Sequence, residues 1–187
     1  METTKVYLKF LNNIEKLKCH LRHSWTSSGR QESVAEHSWR TALMAMIFSD
    51  ECSEVDMRKV MEMLIIHDLG EVFEGDTPAF NKTSTHTPSE KESILKVVAG
   101  LPPKIQQKIT SLWDEFDSGT SLEAKIAHAI DKMEAVIQHN EADISTWTPI
   151  EHDMNLVYGE KEADCHPFLK EIRGIVRKDT EIKRGIK

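Results

Sequence analysis

The sequence predicts an all-α fold, a single domain over 1–187 built as a bundle of about six to eight helices. Three observations predict it. Apolar residues recur three and four apart through most of the chain. Ser or Thr stands three residues before Glu at several expected helix starts. No stretch alternates apolar and polar positions with β-branched enrichment. At 187 residues the chain is long enough to bury one sizeable core.

Val6, Phe10, Ile14 and Leu17 trace a helical stripe through roughly the first 17 residues. LRHSWTSSGRQE, with Gly29 and several serines, reads as a polar loop. Ser33 and Glu36 form a capping box that opens a helix to about Glu51. Asp56 caps the next helix, which carries Val60, Leu64 and the pair His67-Asp68; Gly70 weakens or ends it. EVFEGDTPAFNKTSTH holds Gly75, Pro78 and other turn formers, so an ordered loop with one short helical turn is expected, Glu74 facing solvent.

Thr87-Pro88-Ser89-Glu90 is a second box, with proline at the favoured first helical position. Its helix should run to about Ala99, where Gly100-Leu101-Pro102-Pro103 breaks it. A helix from about Lys104 to Phe116 carries Ile105, Ile109, Leu112 and Trp113. Thr120 with Glu123 makes a third box for the longest helix, whose apolar side holds Leu122, Ile126, Ala129, Ile130, Met133 and Ile137. The tail, 146–187, holds two more helices near 151–159 and 167–178. Met44, Met46, Met57, Met61 and Met63 are expected as core filler.

Charge and composition narrow the function. A net charge of -7 argues against a nucleic-acid or anionic-membrane surface, yet allows a small phosphorylated ligand if a bound cation supplies local positive charge. Cys19, Cys52 and Cys165 are odd in number and far apart, so they read as reduced thiols of a cytoplasmic protein rather than a zinc site. No 18-residue apolar run or signal-peptide pattern occurs, and no membrane partner is expected. P-loop, zincin and G-x-S-x-G patterns are absent.

The chemistry concentrates in MLIIHDLGEVFEGDTP, residues 63–78. An apolar run drives into His67-Asp68, and a carboxylate placed there needs protonation, ion pairing or a metal. His37 and Asp131 likewise sit where helical patterning predicts core. Each alone has an ordinary reading: a hydrogen-bonded core histidine, a local ion pair, an aspartate capping the next turn. Together, two His and two Asp form a mixed N/O set suited to a first-row divalent ion rather than calcium. His139-Asn140-Glu141-Ala142-Asp143 reads either as a second metal site or as an inter-helix hydrogen-bond cluster.

The order His37, His67-Asp68, Asp131, with gaps of 30 and 63 residues, resembles the H…HD…D signature of the HD-domain metal-dependent phosphohydrolases. VAEHSWR, HDLGEVFEGDTP and AIDKMEA resemble the YfbR-like 5'-deoxynucleotidase branch and its relatives, over a motif core of about 8–143. The resemblance implies a helical bundle holding one divalent ion (Mn, Co, Fe, Ni, Zn or Mg) through His37, His67, Asp68 and Asp131. It implies Glu71 as general acid/base and Asp76 on the sugar-hydroxyl side of a deoxyribonucleoside monophosphate. Arg22 and Lys82 would contact phosphate. The family carries Trp directly after that Arg; here His23 follows and the tryptophan is Trp25, a candidate stacking residue. The resemblance also implies a homodimer. Two rival readings are a dATP-type dNTP triphosphohydrolase on the same site and a non-catalytic nucleotide-sensing metal protein.

Overall fold

The computed structural model describes residues 2–76 and 86–186. Helix α1 (Glu2–Ile14) runs into a 3-10 turn, Glu15–Lys18. Strands β1 (Leu21–Trp25) and β2 (Gln31–Ser33) pair antiparallel, Leu21 opposite Ser33 and Trp25 opposite Gln31. Then come α2 (Val34–Ile47), α3 (Met57–Ile66), α4 (Glu71–Glu74), α5 (His86–Val98), α6 (Pro103–Ser118) and α7 (Leu122–Glu141). α8 (Pro149–Val157), α9 (Glu160–Ala163) and α10 (Pro167–Lys183) complete the chain. The all-α expectation holds, with eight helices of nine residues or more among the described residues.

Helix α7 is the axis of the bundle, in contact with α2, α3, α6, α10 and β1. Ala124, Ala127 and Ala129 let neighbouring backbones approach, while Ile126, Ile130, Met133 and Val136 fill the space between them. Each of those larger side chains, fully buried, contributes roughly 1.5–3 kcal/mol. Among the methionines, Met44, Met57 and Met63 are buried as expected, but Met46 is exposed.

Of four expected helix starts, two are capped as read and two are not. Ser33 Oγ accepts from the Glu36 N–H and Glu36 accepts from the Ser33 N–H, closing the box that opens α2. Asp56 accepts from the Lys59 N–H at the start of α3. Ser121 rather than Thr120 caps α7, through the Ala124 N–H. Helix α5 begins at His86, so Thr87 lies inside it and is not its cap.

Four further expectations are corrected. The stretch read as a loop is the β1–β2 hairpin, turned by Gly29 at φ 82°. It lacked an apolar alternation because its inward residues, Ser24, Glu32 and Ser33, cover a polar site instead of an oily core. Helix α2 stops at Ile47, before a run of turns. Leu122 lies on the exposed first turn of α7. Helix α3 ends at Ile66, so His67 and Asp68 stand on the turn beyond it. There His67 Nδ1–H donates to the Leu64 carbonyl at 2.7 Å, satisfying one of the orphan acceptors of the helix end. The Glu74 side chain lies outside what the structure describes.

Candidate metal and phosphate site

Three elements converge on one point. His37 comes from the first turn of α2, His67-Asp68 from the turn after α3, and Asp131 from the middle of α7. His37 Nε2 lies 2.9 Å from Asp131 Oδ1 and 3.9 Å from Asp68 Oδ2. His67 Nε2 lies 3.1 Å from Asp68 Oδ2 and 3.6 Å from Asp131 Oδ1. Both imidazoles are buried, whereas the two carboxylates are partly open to solvent.

The tautomers test whether this constellation fits a cation. His37 Nδ1–H donates to Glu134 Oε2 at 2.5 Å, and His67 Nδ1–H donates to the Leu64 carbonyl. Each ring has therefore committed its Nδ1 proton away from the centre and turns Nε2 inward. Two imidazole lone pairs and two carboxylates would repel unless protons or a cation lay between them. His67 Nε2 and Asp68 Oδ2 are buried with no aligned hydrogen-bond partner among the described residues. Carboxylate- or carbonyl-braced histidines facing two aspartates are a donor set that a first-row divalent ion satisfies. His37, His67 and Asp131 hold ligand atoms close enough together to share such an ion, and Asp68 lies beside them, 3.1 Å from His67.

Electrostatics of the bare site agree. Burial and Arg22 push the His37 pKa down, but Glu134 and the hydrogen bonds from Asp131 and Glu134 outweigh them and raise it to about 9. Burial of His67 is likewise overcome, mainly by Asp68, and its pKa rises. Burial works to raise Asp68 and Asp131, yet the two histidines hold both well below the usual carboxylate range. Without a metal, protons occupy the place the cation would take.

A second acidic group stands behind the first. Glu32, His37 and Glu134 lie close together and buried, but cations already serve this group: Arg22 is 3.4 Å from Glu32 and Arg40 is 3.7 Å from Glu134. Burial, then the Glu134 charge, raises Glu32 to about 7. It braces the site rather than forming another.

Arg22, on β1, bridges the two layers. Its Nη1 lies 3.6 Å from Asp68 while Nε faces Glu32. Burial works against its charge, but Asp68, Asp76, Glu134 and Glu32 hold the guanidinium firmly protonated. Beside it opens a small cleft of about 60 Å³, bordered by Arg22, Asp76, His139, Glu151, Asn155 and Tyr158 among others. Glu71, first residue of α4, is buried, and its backbone carbonyl accepts from His20 Nδ1–H at 2.8 Å. Trp25 does not line the cleft; its carbonyl accepts from Gln138 Nε2 at 2.7 Å, which ties the hairpin to α7. Lys82 lies outside the described residues.

Sequence reasoning passed over Glu134, Glu32, Glu151 and Asn155. Glu134 carried a signal: it lies three residues after Asp131, on the same face of α7, between Met133 and Val136. Of the two readings of the 139–143 stretch, the geometry shows the hydrogen-bond cluster: His139 bonds Ser24 and Asn155, Asn140 bonds Thr180 and the Val176 carbonyl, and Glu141 pairs with Arg40.

Comparison with known proteins bears on this arrangement. The model of the HD domain matches residues 14–173. The human protein named 5'-deoxynucleotidase HDDC2 is 32% identical over 139 residues, covering 72% of this chain and 67% of that one. Its namesake from Dictyostelium discoideum is 30% identical over 142 residues, covering 71% and 75%. The crystal structure of a predicted metal-dependent phosphohydrolase from Magnetospirillum magnetotacticum superposes with a TM-score of 0.83 at 26% identity, covering 100% of this chain and 98% of that one. The matched region contains all four converging residues, and the chain belongs to the HD domain family.

Proposed function

We propose that this chain is a divalent-metal-dependent phosphohydrolase that removes the 5'-phosphate from deoxyribonucleoside monophosphates. The observation that carries the reading is the convergence of His37, His67, Asp68 and Asp131 beside Arg22, at the side of a cleft bordered by Asp76. Relatives named 5'-deoxynucleotidase at about 30% identity support the substrate class.

His37, His67, Asp68 and Asp131 would hold the ion; when bound, it supplies Lewis acidity and lowers the pKa of water. Arg22, fixed between Asp68 and Glu32, presents its guanidinium to the phosphate oxygens. Glu71 takes a proton from the attacking water and returns one to the departing sugar oxygen. Asp76 receives a sugar hydroxyl. The enzyme acts as one domain over 1–187, with no nucleic-acid partner, in keeping with its net charge of -7. Its free cysteines support a cytoplasmic setting. It is a homodimer through the apolar groove of α1, α2 and α3, where Leu11, Trp39, Met46 and Ile65 lie exposed.

The test is a metal-by-substrate screen on chelated protein, reconstituted with Mn, Co, Zn or Mg. Deoxynucleoside and ribonucleoside monophosphates and dNTPs are offered, and phosphate and triphosphate are both measured. Metal-dependent phosphate release from dNMPs, lost in Glu71→Gln while nucleotide still binds, is expected. Triphosphate release from a dNTP would replace this reading with a triphosphohydrolase. Nucleotide binding without turnover, indifferent to Glu71→Gln, would replace it with a sensor.

A further inference from the structure

Helix α8 brings to the cleft beside Arg22 a polar pair that no step above uses. Glu151 and Asn155 lie four residues apart on one face of α8, each only 1% exposed. Each side chain is half committed. Glu151 Oε2 accepts from the Thr148 N–H at 2.7 Å, closing the capping box of α8. Asn155 Oδ1 accepts from His139 Nδ1–H at 3.0 Å.

The remaining atoms are the informative ones. Glu151 Oε1 and Asn155 Nδ2 are buried with no hydrogen-bond partner among the described residues. His23 Nε2 lies 3.1 Å from Oε1 but directs its hydrogen bond to Oε2, at 3.2 Å. His139 Nε2 is 3.4 Å from Oε1, yet it cannot donate there. Its proton is on Nδ1, toward Asn155, and Nε2 accepts from the Ser24 hydroxyl at 3.2 Å. Burial lowers the His139 pKa, outweighing Glu151, and so favours the neutral ring.

The backbone that carries Asn155 is also anchored. Buried Arg173 of α10 donates Nε to the Tyr158 carbonyl and Nη2 to the Asn155 carbonyl, both at 2.9 Å, which pins the C-terminal end of α8. An acceptor and a donor, both desolvated and on residues bordering one cleft, match a group that both donates and accepts.

We infer that Glu151 and Asn155 are specificity-determining residues that read such a group on the nucleoside half of the substrate. Glu151 Oε1 receives its proton and Asn155 Nδ2 donates to its lone pair. The inference rests on the nucleotidase reading for its ligand. Two sources on a deoxynucleotide offer this chemistry: a sugar hydroxyl, and a base edge carrying an N–H beside a bare nitrogen or oxygen.

Glu151→Gln and Asn155→Asp test it, because each keeps an acceptor for the contact already made and reverses the hydrogen-bonding sense of the free atom, with a change of one charge. The substrates are a deoxynucleoside monophosphate, 2-deoxyribose 5-phosphate and p-nitrophenyl phosphate, with kcat and KM measured for each. For the nucleotide, kcat/KM should fall roughly 10- to 100-fold more than for p-nitrophenyl phosphate. An equal loss on the nucleotide and 2-deoxyribose 5-phosphate places the group on the sugar. A loss confined to the nucleotide places it on the base. Loss spread equally over all three substrates, or no loss, overturns the inference. Calorimetric titration of the metal-free protein with a phosphate-free deoxynucleoside stands apart from turnover. Weaker binding in both variants supports the pair even if the wild type hydrolyses no nucleotide, and no binding to the wild type overturns it.

Discussion

The Nδ1–H of His37 donates to Oε2 of Glu134 at 2.5 Å, linking the first turn of α2 to the middle of α7 across 97 positions of sequence. That one contact sets the tautomer, aims Nε2 at Asp131 and raises the basicity of the ring. Glu134→Gln keeps the shape and an acceptor but removes the charge. Its affinity for Mn or Co, measured by competition with a chelating dye, should fall roughly 10- to 100-fold. Unchanged affinity would reduce the contact to packing.

Metal binding should couple to folding. With the ion at about a hundred times its dissociation constant, the native state gains about 2.7 kcal/mol. Chelation should therefore lower the melting temperature by several degrees, and adding the ion back should restore it. In His67→Ala the melting temperature should no longer respond to the ion. A full response there would remove His67 from the ligand set.

Arg22 should matter through geometry as well as charge. Its guanidinium faces Asp68 and Glu32 from two different nitrogens, which a lysine ammonium cannot reproduce. Arg22→Ala should weaken competitive inhibition by inorganic phosphate roughly 10-fold or more, the value of a lost charge-assisted hydrogen bond. Arg22→Lys should recover only part of that. Full recovery by lysine would show that point charge alone is used.

The thiols should react very unequally. A thiol alkylates as thiolate, the form that prevails above its pKa. Burial, followed by the nearby Glu54 charge, pushes Cys52 up to about 11, so it stays protonated through pH 8 and well beyond. Exposed Cys19 should be carbamidomethylated by iodoacetamide at pH 8 within minutes, while Cys52 remains unmodified in peptide mass spectra until denaturant is added. Early labelling of Cys52 would show that α2 and the turns after it open readily.

Self-association should be breakable at Trp39, which is 65% exposed on the rim of the apolar groove. The wild type should scatter light as about twice 21.4 kDa, and Trp39→Glu as the monomer. A wild type found only at the monomer mass would end the dimer proposal.

Helix identity and the four inward-facing ligand candidates were legible because both signals are local. Ser33 with Glu36, and Asp56 with the Lys59 N–H, act within one turn. An ionisable residue amid Leu64-Ile65-Ile66 or Ile130-Met133 stands out in one line of text. The hairpin was not legible, since its inward residues are polar and pairing Leu21 with Ser33 leaves no apolar alternation. Nor was the end of α3 at Ile66, which the His67 bond back to Leu64 helps to satisfy.

Residue types and their spacing thus settled the helical class and pointed to a metal-suited cluster. The tertiary structure alone decided which groups serve it. Glu134 finds His37, Glu32 finds Arg22, and Glu151 comes to stand beside His139 only when α2, β1, α7 and α8 pack together. A buried polar atom is defined by partners far away in sequence, and those partners are chosen by packing.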